Sequence, residues 1–224
     1  MLPRKAHLAC AIALLLLPGC GGNTPRTPEV LGLDGGSAQL WRPTTTPTGT
    51  QLLILAAAGT EPEFWAPLAT LAASEGYTVA ICAPAPGTPA PGFYPRALDT
   101  AARALGPDAT RRAVLTEGTA PFEALETLEE VQAVVALSVA PRATPETTMQ
   151  RYAACPLLLL TCENDIESAN AARALKAAAT GYCEIQAYAC GVRGVDLLAA
   201  APNTPGQILA WLKPLIGGGI GAPE

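Results

Sequence analysis

Histidine is almost missing from the chain. Of 224 residues only His7 carries an imidazole, and it falls in an N-terminal stretch that reads as a removable leader. No other side chain takes and returns a proton near neutral pH at its unperturbed pKa. Histidine-dependent nucleophilic catalysis and histidine-ligated metal sites are therefore excluded from what remains once the leader is gone. Serine is scarce as well: Ser37, Ser74, Ser138 and Ser168 are the full set, and none has the glycine neighbours of a nucleophile elbow. Cysteines never occur as Cys-x-x-Cys, so zinc is not expected, and no cofactor is expected either. Basic residues are few. The 14 of them less Arg4 and Lys5 of the leader leave 12 against 19 acidic residues, which argues against nucleic acid as a partner. What is present is apolar: hydrophobic residues make up 50% of the chain, ample for one sizeable core in a single domain behind a leader.

Met1 to Lys5 is a short basic head, and Leu8 to Leu17 is an apolar run of signal-peptide length, too short for a permanent membrane span. Residues 1–19 are read as a cleaved lipoprotein signal peptide. Leu17-Pro18-Gly19-Cys20 resembles the lipobox of bacterial lipoproteins, in which the cysteine receives diacylglycerol and becomes the mature N-terminus. Several acyl chains, palmitate among them, hold a protein on a membrane far longer than one can. Residues 20–36 are then expected to be the lipidated N-terminus and a Gly/Pro/Thr tether. The implied location is the bacterial cell envelope, on its periplasmic or cell-surface side. Gly21, where an aspartate would retain the protein at the inner membrane, favours the outer membrane.

Residues 37–216 are expected to form one domain, with a disordered GGGIGAPE tail over 217–224. Ala38 to Pro43 and Gln51 to Ala57 read as strands, and Pro62 to Ala73 as a helix with Phe64, Leu68 and Leu71 on one face. A strand over Thr78 to Cys82 and a helix over Tyr94 to Leu105 follow. Val131 to Val139 and Leu157 to Thr161 are continuous apolar runs, then come a helix over Ile166 to Ala179 and a strand over Glu184 to Ala189. Thr204 and Pro205 suit the N-cap and first position of a last helix, with Ile208, Leu212 and Leu215 inside. Strands apolar on both faces and separated by helical patterns indicate a parallel sheet covered on both sides. No repeat interrupts this order.

At Arg111 to Leu125, RRAVLTEGTAPFEAL, an apolar strand meets the tight turn Glu117-Gly118-Thr119-Ala120 and a helical pattern through Phe122, Leu125 and Leu128. Many hydrolases mount their nucleophile on such a turn, but glycine at its tip supplies none. The sequence AQLWRP, then QLLILAAAG, then FWAPLATLAASEGYTVAI resembles the opening of the α/β-hydrolase fold, especially its small esterase and dienelactone-hydrolase-like members. The likeness extends through the elbow to CPLLLLTCENDIESANAARAL, YACGVRGVDLL and ILAWL, most of the chain behind the leader. It implies an α/β architecture of three layers, a mostly parallel sheet without a large cap domain. It also implies three triad positions: Gly118 for the nucleophile, Asp165 for the acid, and Arg193 where the base would stand. Arginine stays protonated and has no acceptor, so it cannot take a proton from a hydroxyl. The oxyanion loop holds Ala56-Ala57-Ala58-Gly59 where His-Gly is common in the family.

The resemblance thus implies a vestigial triad with no catalytic residues. The expected function is a lipid-anchored, inactive envelope module that binds a small apolar ligand or an envelope protein. Two alternatives stand beside it: a carboxylic-ester hydrolase with a non-standard site, and a structural envelope lipoprotein whose cleft is filled. Asp165 is read as structural, and the family geometry implies an ion pair with Arg193. Glu117 and Thr119 are read as turn residues, and Cys162 as an inert or bridged thiol. Behind Cys20 five cysteines remain, Cys82, Cys155, Cys162, Cys183 and Cys190, an odd number that cannot all pair internally. The family strand order implies that Cys162 and Cys190 lie close enough for a disulfide.

Overall fold

The computed structural model describes residues 27–87, 89, 91–106, 109–118, 131–151 and 155–216. The leader, Cys20, the tether up to Arg26, the tail and the helix expected through Phe122, Leu125 and Leu128 lie outside them.

Eight strands form one sheet: β1 (Glu29–Leu33), β2 (Gly36–Trp41), β3 (Thr50–Leu55), β4 (Thr78–Pro84), β5 (Arg111–Glu117), β6 (Val131–Leu137), β7 (Leu157–Cys162) and β8 (Cys183–Tyr188). Their spatial order is β1-β2-β4-β3-β5-β6-β7-β8. From β4 to β8 all neighbours are parallel, while β2 runs antiparallel to both β1 and β4. The helices are α1 (Ala66–Ser74), α2 (Phe93–Leu105), α3 (Pro145–Arg151), α4 (Ile166–Ala178), α5 (Asp196–Ala200) and α6 (Thr204–Ile216).

Every residue of β3 and of β7 is buried. That is the result of covering a parallel sheet on both faces, because successive side chains point to opposite sides. Leu52, Ile54, Leu115, Val135, Leu158 and Leu160 face a core closed by α1, α5 and α6. Leu53, Leu55, Val114, Val134, Leu157 and Leu159 face a second core closed by α2 and α4. Helix α2 is strongly amphipathic, burying Phe93, Tyr94, Ala97, Leu98, Ala101, Ala102 and Leu105 at three- and four-residue spacing.

Three expectations need correction. The domain starts at Glu29, inside the stretch assigned to the tether, because EVLGL pairs with β2 as an edge strand. One neighbour and a largely exposed face leave that strand little apolar signal. Phe64 is 52% exposed, whereas Trp65 is fully buried. A 3-10 turn over Pro62–Trp65 changes the angular spacing ahead of α1 and takes Phe64 off its inner face. The short helices α3 and α5 are additional; each has too few residues for a periodic pattern to show.

Candidate functional site

In parallel α/β sheets ligands gather at the carboxyl ends of the strands, where the loops leave. Here five strand exits converge. β3 leads into Ala56 and Ala57, β5 ends on Glu117 before Gly118, β6 runs into Ser138, β7 is followed by Asp165, and β8 by Arg193 and Gly194. A cavity of about 260 Å³ opens among them, with Ala57, Glu117, Gly118, Ser138, Arg193 and Gly194 in its wall. Among the described residues this cleft is open, whereas a purely structural protein would be expected to fill it.

Gly118 has φ 70°, the left-handed conformation of an elbow tip, and a Cβ added there would meet nothing within 4 Å. Its N–H donates to the Leu137 carbonyl, 3.0 Å away, which locks the turn onto β6. The elbow conformation is kept, with space above it and no side chain in that space. Ser138 repeats the conformation one strand over. It has φ 48°, the one non-glycine residue with positive φ among the described residues. Its Oγ is closed to solvent and has no hydrogen-bond partner, and the residue forms part of the cavity wall.

Glu117 is buried and ties two loops together. Its Oε2 accepts from the Ala57 N–H at 3.3 Å and its Oε1 from the Val195 N–H at 3.0 Å. Gly194 must be glycine beside it, since a Cβ there would fall inside the Glu117 carboxylate. The buried Tyr94 hydroxyl donates to the Ala56 carbonyl at 3.1 Å. Burial, and then the charge of Glu117, push its pKa up to about 12, so Tyr94 stays a neutral donor.

Asp165 caps α4 by accepting from the Ser168 N–H at 3.3 Å, and the same Oδ1 lies 2.7 Å from Arg193 Nη2. Arg193 also reaches Glu167 Oε2 at 2.5 Å. The hydrogen bonds it donates to Glu167 and Asp165, joined by their charge, raise the guanidinium pKa, so it stays a fixed cation. The other Asp165 oxygen, Oδ2, is buried without a partner. Cys162 and Cys190 form a disulfide with Cα atoms 5.0 Å apart, which pins the loop carrying Arg193 to the exit of β7. Cys162 therefore offers no thiolate. Cys82 offers none either, as burial pushes its pKa up to about 12. Thr119 lies outside the described residues.

The structure thus places Gly118 and Arg193 in the wall of one cavity, with Asp165 paired to Arg193, and adds two residues given no chemical role from the sequence. Glu117 was legible only as a turn residue. Ser138 has no glycine neighbours, and its backbone angle leaves no trace in the sequence.

No family model and no curated protein matches the chain. Solved structures do. An esterase of Pyrococcus furiosus is 13% identical with a TM-score of 0.60, over 81% of this chain and 86% of that one. A soluble variant of monoglyceride lipase from Saccharomyces cerevisiae, in complex with a substrate analog, is 8% identical with a TM-score of 0.69, over 85% and 96%. The esterase domain of a Rhodothermus marinus protein is 14% identical with a TM-score of 0.58, over 79% and 91%. At such identities the likeness defines the fold: the chain has the α/β-hydrolase fold, with no large cap among the described residues. These neighbours also correct the expectation of an inactive binding module. They are esterases and a lipase, the cleft is open, and the loss of the usual triad does not by itself establish a loss of chemistry. The ester-hydrolase alternative accords with them better.

Proposed function

We propose that the chain is a carboxylic-ester hydrolase that works without histidine, with the Ser138 hydroxyl as nucleophile and the Glu117 carboxylate as its base. The observation that carries this reading is Ser138: a buried, unpartnered hydroxyl on left-handed backbone, in the wall of an open cavity that Glu117 also lines. A buried polar group without a partner costs about 1–3 kcal/mol. A non-glycine residue held left-handed costs on the order of 1 kcal/mol or more. Local penalties of this kind concentrate at functional sites, where the group is needed for a partner that arrives later.

In the acylation step the Ser138 oxygen attacks the ester carbonyl carbon and its proton passes to Glu117. A carboxylic acid accepts hydrogen bonds less strongly than a carboxylate. Protonation therefore loosens the hold of Glu117 on the Ala57 N–H as negative charge grows on the carbonyl oxygen, and that N–H turns to the oxyanion. The alcohol leaves with the proton from Glu117. Water then attacks the acyl-serine, Glu117 takes its proton and returns it to Ser138, and the acid departs. Arg193, held by Asp165 and Glu167, acts as a fixed wall of the cavity.

Hydrolysis of p-nitrophenyl butyrate by the mature protein is the test. Ser138→Ala should lower the rate about 100-fold or more without lowering the melting temperature, since it removes an unpartnered buried hydroxyl. Absence of turnover in the wild type, or turnover that survives both Ser138→Ala and Glu117→Gln, overturns the reading. The envelope location rests on residues 1–20: export, then lipidation at Cys20, with the membrane as partner through that lipid. Metabolic labelling with palmitate that is lost in Cys20→Ser is the expected result.

A further inference from the structure

The peptide unit between Ala56 and Ala57 is held at both of its ends. A peptide is planar, and its carbonyl and N–H point to opposite sides. The Ala56 carbonyl accepts from the Tyr94 hydroxyl at 3.1 Å, and the Ala57 N–H donates to Glu117 Oε2 at 3.3 Å. The two partners come from different elements, the phenol from the first turn of α2 and the carboxylate from the end of β5. On either side the backbone is fixed by other backbone: the Ala56 N–H donates to the Cys82 carbonyl and the Thr60 N–H to the Ala57 carbonyl, each at 3.0 Å. Between those two bonds lies one plane that side chains orient. The run Ala56-Ala57-Ala58-Gly59 has little bulk of its own to hold it. Tyr94, by contrast, is fixed: its ring packs edge-on against Phe93 with centroids 5.3 Å apart, inside the core under α2.

We infer that Tyr94 is a positioning residue for the reaction: by holding the Ala56 carbonyl, it keeps the Ala57 N–H on the cavity side when Glu117 lets that N–H go. The inference rests on the hydrolase reading for the moment of release. At that moment the plane loses one of its two side-chain tethers. Rotation about the line joining the two Cα atoms would then carry the donor away from the growing oxyanion. The phenol opposes this, because a carbonyl that stays on Tyr94 leaves the N–H opposite it no other side to face. The same bond polarises the amide and makes its N–H a stronger donor, as happens along any chain of hydrogen bonds. Tyr94 keeps its proton throughout, and it acts only through Ala57, which stands in the cavity wall.

Tyr94→Phe keeps the ring and removes only the tether. Two measurements on this variant separate the inference from the hydrolase reading. The first is kcat and KM for p-nitrophenyl butyrate, at a temperature where circular dichroism shows wild type and variant fully folded. kcat should fall about tenfold with KM unchanged, because the tether matters only once charge has grown on the carbonyl oxygen. That is less than the roughly 100- to 1,000-fold cost of losing an oxyanion donor outright. A merely structural tyrosine would lower the melting temperature and leave kcat of the folded protein where it was. The second is amide hydrogen exchange at the Ala57 N–H, followed by NMR, which needs no turnover. Exchange should quicken about fivefold or more in Tyr94→Phe, although the acceptor Glu117 is untouched. Faster exchange with no ester turnover in the wild type upholds the clamp and removes the hydrolase. With turnover in the wild type, an unchanged kcat or a change in KM alone overturns the inference and leaves the hydrolase standing. Ala57 exchange indifferent to the variant overturns it in either case.

Discussion

The corners after β5 and β6 adopt the same backbone conformation with opposite contents. At Gly118 the left-handed φ of 70° is free of side-chain strain, the space above is empty, and the neighbouring Glu117 carboxylate fastens the turn to two loops. At Ser138 a φ of 48° is held against the preference of an L-residue, and the hydroxyl it carries bonds to nothing. One corner has the architecture of an elbow without a reactive group. The other has a reactive group at the cost of local strain. Their difference teaches that an absent side chain at an expected position does not empty a site, because a neighbouring strand exit can place a hydroxyl-bearing residue in the wall of the same cavity.

The comparison can be broken first at Glu117. Glu117→Leu leaves the half-buried Ala57 N–H and the buried Val195 N–H unpaired, and stability should fall by about 2–4 kcal/mol in urea titrations. A loss below about 0.5 kcal/mol would mean that the turn at Gly118 is not fastened by this carboxylate. Tyr94 provides a smaller effect with a definite sign. Its folded pKa, at about 12, lies above the ordinary value of 10.0. Between those values the unfolded chain gives up the phenolic proton and the folded chain keeps it, so stability is complete below about pH 10 and declines as pH rises through the window. Tyr94→Phe should flatten that alkaline slope in thermal melts between pH 9 and 12. The smallest effects are a matched pair. Ser138→Gly should raise stability by about 0.5–1 kcal/mol through relief of strain, and Gly118→Ala should lower it by about as much, having no clash to add. Equal signs for the two would show that the corners do not differ in strain.

The sheet was legible because buried parallel strands are written as unbroken runs, LLIL, AVL, VVAL and LLLL. The neighbourhood of Asp165 and Arg193 was legible because topology alone brings the exits of β7 and β8 together. Edge strand β1 was not, since a strand with one neighbour needs little apolar surface. Glu117 was hidden for a different reason: a glutamate before a glycine reads as a solvated turn, and only the fold reveals that two backbone N–H groups converge on its carboxylate. Ser138 was hidden most completely. Its sequence setting, ALSVAP, is that of any strand end, and what distinguishes it is a dihedral angle and an empty acceptor.

The bridge between Cys162 and Cys190 sets an order of events for this molecule. Its sulfurs close a loop of the chain only after β7 and β8 have found one another, and only where an oxidant is at hand. Where the thiols are kept reduced, the staple that fixes the Arg193 loop to the exit of β7 cannot form. Completion of this wall of the cavity is thus coupled to oxidation of the two thiols.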